Sequence, residues 1–67
     1  MIVEIGTTFR SKWFKGLITV LDINESKNVL SVEIDPQEPN RSIWREDDWD
    51  LQVCIWAFAS GEYYLSS

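Results

Sequence analysis

The chain has 67 residues, a net charge of −5, 45% hydrophobic and 13% aromatic residues, one Cys and no His. That length suits one domain, residues 1–67, and excludes a two-domain enzyme with separate cofactor and substrate lobes. A single Cys excludes an intramolecular disulfide, and without His neither a Cys/His zinc site nor a Ser-His-Asp or Cys-His catalytic pair can form.

Four Trp, two Tyr and three Phe argue for a folded chain, because disordered segments are poor in aromatics. Large rings offset the small size, each burying ~150–250 Å². No apolar run approaches the ~20 residues of a membrane span, and the first residues lack a charged-then-apolar leader pattern. An unbridged Cys fits a reducing compartment. The expectation is a cytoplasmic protein with no membrane contact. Charge is uneven: residues 1–32 carry four bases and three acids, residues 33–67 two bases and eight acids. Whole-domain nucleic-acid binding is disfavoured, since that affinity comes from Lys and Arg on phosphates.

In chain order, Met1 to Ile5 is apolar and β-branched, ends at Gly6, and reads as a first strand. Thr7 to Lys15 reads as an extended loop or irregular strand. Leu17 to Ile23 is the best strand, with Leu17, Thr19, Leu21 and Ile23 on one face and Ile18, Val20 and Asp22 on the other. Asn24 to Asn28 is a turn by composition. A second strand follows over 29–34, with Leu30, Val32 and Ile34 on one face, so 17–34 reads as a β-hairpin. Pro36 to Ser42 is a surface loop.

Glu46, Asp47 and Asp48 suit a helix N-terminus and Gly61 the residue past a helix end, with no Pro or Gly between. These signals predict a helix over about 48–60. It would be apolar nearly all round: Trp49, Val53, Trp56 and Ala57 form one stripe, and Leu51, Cys54, Ile55 and Phe58 another. Such a helix must bury two faces, one of them against a partner chain. The rival reading is a strand, with Leu51, Val53 and Ile55 alternating against Gln52, Cys54 and Trp56. Glu62 to Leu65 reads as a short closing strand or docked tail.

The fold expected is therefore α+β: a small twisted antiparallel sheet of three to five strands around the 17–34 hairpin, with one C-terminal helix. The order of strand, aromatic loop and hairpin also resembles small β-barrels of the Tudor or KOW type. The resemblance is carried by Gly6 to Phe9, Gly16 to Leu21 and Leu30 to Ile34, about half the chain. It implies an all-β barrel as the alternative fold. It also implies that aromatic loops bind peptides, modified side chains or nucleic acid, which would place Phe9, Trp13 and Phe14 on that surface.

No constellation points to catalysis, a cofactor or a metal. Cys54 lies in an apolar run, where burial makes a thiol inert. Gly6, Gly16 and Gly61 are isolated and build no phosphate loop. Glu46, Asp47, Asp48 and Asp50 lack calcium-loop spacing and read as helix capping. Arg10 to Lys15 mixes bases with Trp13 and Phe14, the combination that binds single strands. Trp44 and the Tyr63-Tyr64 pair suit an interface, or alternation puts one Tyr in the core and its neighbour in water. The reading is a small non-catalytic protein-interaction module that self-associates as a homodimer, with Phe9, Trp13, Phe14, Trp56 and Phe58 meeting the partner. The alternative is a nucleic-acid-related protein, either a weak single-strand binder through Arg10 to Lys15 or an acidic DNA mimic.

Overall fold

The computed structural model describes residues 3–66. Its elements are β1 (Thr8–Ser11), β2 (Leu17–Asn24), β3 (Val29–Asp35), β4 (Trp44–Asp50), α1 (Leu51–Ser60) and β5 (Tyr63–Leu65). The strands form one antiparallel sheet in the order β4-β3-β2-β1-β5. The fold is α+β, with a C-terminal helix, and the helical reading of 51–60 prevails over the strand reading. Among the described residues no helix is long and apolar enough to cross a membrane.

The core follows the strand period. Phe9, Ile18, Val20, Leu30, Val32 and Ile34 point inward and are buried, joined by Val3 and by Leu51, Cys54 and Ala57 from the helix. One predicted face changes. The register of β2 against β3 slips between Val20 and Asp22, so Leu21 is an extra residue. A bulge reverses the alternation beyond it, and Ile23 therefore packs against the core instead of lying opposite Ile18 and Val20. A second slip, between Leu30 and Val32 of β3, puts an extra residue into β4. Both irregularities meet β3 at Ser31. Bulges add bend and twist, and here they curl the sheet so that its two edge strands face each other.

Two predicted boundaries are corrected. Val3 to Ile5 is not a strand: Ile5 and Gly6 form a turn, with Gly6 at φ 91°, and β1 starts only at Thr8. Met1 and Ile2 lie outside the described residues. The helix begins at Leu51, because Glu46, Asp47 and Asp48 belong to β4 and do not cap it. Gly16 is required by packing: a Cβ there would overlap the carbonyl oxygen of Asp35 at the end of β3.

The cap is Asp50, whose Oδ1 accepts the Val53 N–H at 2.9 Å. The hairpin turn supplies the rest. Asn28, held at φ 56°, accepts the Leu51 N–H on its carbonyl oxygen and the Gln52 N–H on its Oδ1, both at 3.1 Å. Its Nδ2 donates to Asp50 Oδ1 at 3.1 Å. Three of the four N–H groups that a helix start leaves unpaired are thereby satisfied. At the other end Gly61 is left-handed, and the N–H groups of Gly61 and Glu62 reach the carbonyls of Phe58 and Ala57. Asp50→Ala removes the cap and frees the Asn28 amide. It should cost about 1–2 kcal/mol in urea denaturation, well above the few tenths of a kcal/mol expected of an ordinary surface change.

Candidate ligand-binding cleft

The curled sheet is not closed by backbone pairing between its edges. Aromatic rings meet there instead: Trp49 of β4 and Tyr63 of β5 lie 6.3 Å apart between centroids. Beside this contact opens a cleft of about 330 Å³, within the size range of small-ligand sites. Ile18 and Ile34 form part of its apolar lining, which Trp13, Phe14, Trp44, Trp49 and Tyr63 complete around Glu46.

The bulge in β4 explains how three of these side chains reach one face. Trp44 and Glu46 share a face by simple alternation, and the extra residue between Glu46 and Trp49 returns Trp49 to it. Trp13 and Phe14 come from the loop after β1. The Ser11 Oγ accepts the Trp13 N–H at 3.0 Å, and the Phe14 ring stands edge-on to Trp44 at 6.2 Å. Tyr63 faces inward while Tyr64 is exposed, the alternation the sequence predicts.

Glu46 organises the cleft. Its Oε2 accepts the Trp44 indole N–H at 2.8 Å and its Oε1 accepts that of Trp49 at 2.7 Å. The Trp44 bond, then the Trp49 bond, hold its carboxyl below the ordinary value of 4.5, against a smaller opposing effect of burial. Trp13 repeats the device: its indole N–H donates to Glu62 Oε1 at 3.1 Å. An indole that donates to a carboxylate is polarised, and its π face becomes a better seat for positive charge. Arg41 already places its guanidinium carbon 5.5 Å from the Trp44 ring centroid. Burial, and to a smaller extent the nearby Cys54 and Glu62 groups, raise the Tyr63 hydroxyl above its ordinary value, so Tyr63 stays neutral in the cleft.

The residues expected to meet a partner separate into three groups. Trp13 is 79% exposed and Phe14 half-buried, and both line the cleft. Phe9 is 0% exposed and therefore a core residue: β1 alternation turns its ring inward, away from any partner. Phe58 packs edge-on against Phe9 at 4.9 Å and serves the same core. Trp56 is 66% exposed on the outer face of α1, away from the cleft lining. Sequence reasoning missed Glu46 and Trp49 as cleft residues, because it placed both at the helix start. Their signal was the pair of Trp flanking the acidic run at 46–48.

Burial pushes the Cys54 thiol up to about 11, so it stays protonated. Among the described residues, no group of three or more His, Cys, Asp or Glu side chains converges to hold a metal ion. No family model, curated protein or solved structure matches this chain.

Glu46 couples the cleft to acid. A carboxyl lowered on folding stabilises the fold above its ordinary value near 4.5, and that stabilisation is lost as pH falls through the lowered folded value. Glu46→Gln keeps one acceptor oxygen and leaves one indole N–H without its partner. Denaturation should show the variant less stable at neutral pH, with the gap to wild type closing as pH drops below 4.5. A constant gap across that window would contradict this role of Glu46.

Proposed function

We propose that this chain is a small non-catalytic protein-interaction module that receives a cationic side chain of its partner in the aromatic cleft. The observation that carries the reading is the ring of Trp13, Phe14, Trp44, Trp49 and Tyr63 around the ionised Glu46. Aromatic faces attract an ammonium or guanidinium group by about 0.5–2 kcal/mol each, more as water is displaced. The carboxylate retains lone pairs beyond the two indole bonds and adds a counter-charge. The strand, aromatic loop and hairpin that carry the resemblance to Tudor and KOW-type barrels support the same class of function. The unbridged Cys54 supports a reducing compartment such as the cytoplasm.

Titration of the intrinsic Trp fluorescence with choline, against its neutral isostere 3,3-dimethylbutan-1-ol, tests the reading. Choline should bind about tenfold more tightly, a difference of ~1.4 kcal/mol, and Trp49→Ala should abolish the preference. Equal binding of the two compounds would sink the proposal.

Self-association belongs to the same reading and rests on a different surface. Val53 and Trp56 are 55% and 66% exposed, one turn apart on α1. Light scattering over a concentration series should give a dimer for the wild type and a monomer for Trp56→Glu. A wild-type monomer at the highest concentration removes this part.

The nucleic-acid alternative keeps one favourable observation: Arg10, Lys12 and Lys15 gather with Trp13 and Tyr64 around a second hollow. The mimic form loses support, because three of the four carboxylates in 46–50 have local partners. Glu46 holds two indoles, Asp47 pairs with Arg45 at 2.6 Å and Asp50 caps the helix.

A further inference from the structure

The second hollow, of about 370 Å³, lies against the cleft and shares Ser11, Trp13 and Phe14 with it. Its character is opposite. Arg10, Lys12 and Lys15 surround it, half of all the Lys and Arg in the chain. Among the described residues the only side-chain ion pair is Arg45 with Asp47, so none of these three cations is neutralised by a carboxylate. Arg10 is held by neutral oxygens: its Nη1 donates to Gln37 Oε1 at 3.1 Å and to the Lys15 carbonyl oxygen at 3.5 Å. Arg10 and Tyr64 are cross-strand partners on β1 and β5, so both project from the same outer face. In a chain with eleven acids, three unneutralised cations around one hollow are a specific arrangement.

The Trp13–Phe14 wall thus separates a cation-accepting cleft from an anion-accepting hollow. We propose that the two act as one composite surface, and that the partner segment carries an acidic side chain close to the basic one that enters the cleft. The inference rests on the proposed function, since it extends the cation site across the wall. Each half contributes a distinct selection. The cleft discriminates by π faces and Glu46, and the hollow by charge alone, so it is the half that salt weakens. A partner with the basic residue alone fills one side and leaves the Lys12 and Lys15 charges unanswered.

Short acetylated peptides test this by NMR titration of the labelled protein. One series has Lys and Glu separated by zero, one or two Gly; the controls replace Glu by Gln, or Lys by Gln. At one spacing the Lys/Glu peptide should bind about threefold to fivefold more tightly than its Lys/Gln control, the upper part of the range of an exposed ion pair. It should shift signals of Trp44 and Trp49 together with those of Arg10, Lys12 and Lys15. The Lys12→Gln, Lys15→Gln double variant, altered only at exposed positions, should erase that gain without weakening Lys/Gln binding, since it removes charges that repel the peptide's Lys. If Lys/Gln binds in the cleft and Glu adds nothing at any spacing, the composite surface is overturned and the cation cleft stands. If Lys/Gln leaves Trp44 and Trp49 unmoved, both readings fail. Tight, steeply salt-dependent binding of a ten-residue oligothymidylate at Arg10 to Lys15, with no gain from Glu, overturns the composite surface in favour of single-strand binding.

Discussion

Everything in this fold leans on the ring of Phe9. It is wholly buried and touches rings from three other elements: Phe58 of α1 at 4.9 Å, Tyr63 of β5 at 5.0 Å and Trp49 of β4 at 6.5 Å. Domains of this size bury only ~60% of their unfolded surface, so one shared hub contributes disproportionately. Phe9 lies where the curled edges meet, against both Trp49 and Tyr63. The edges approach until Trp49 and Tyr63 meet across it, and the bulk of these rings holds them apart. The cleft lies beside that contact, and the same two rings form part of its aromatic wall.

The same geometry explains what was legible in the sequence. The 17–34 hairpin was readable because its alternation and turn residues agree. Gly61 and the tyrosine pair were readable for local reasons as well. Strand β4 was not. Its residues Glu46, Asp47, Asp48 and Asp50 have low strand propensity, and its bulge destroys the period that would mark a face. The acids read as a helix cap because acids do favour that place; the structure uses only Asp50 so. Phe9 was read with Trp13 and Phe14 because all three lie in one aromatic stretch. Composition cannot separate an inward strand residue from a loop residue four or five positions later. The Glu46 bonds to Trp44 and Trp49 were hidden for the same reason as β4, since they exist only once the bulge has turned Trp49 back.

The acidic balance of the chain acquires local meanings. Glu46 and Glu62 fix the orientation of three indoles, Asp50 starts the helix, and Asp47 answers Arg45. The charged, bulged β4 and the three-residue β5 also guard the sheet edges, because neither offers a long flat row of free backbone groups for unwanted strand pairing. The edges that flank the cleft are therefore poor templates for another strand.

The Asn28 knot has a kinetic meaning too. Helices nucleate with difficulty because their first turn fixes several residues for little return. Here two donors of that first turn, the N–H groups of Leu51 and Gln52, are received by a residue more than twenty positions earlier, in the tip of the hairpin. Asn28 sits where the turn puts it, in a left-handed conformation, so its amide is aimed only after β2 and β3 have paired. The hairpin thereby acts as the template on which the helix is initiated. Among the strand pairings, that of β1 with β5 spans the longest stretch of chain and so carries the greatest loop-closure entropy.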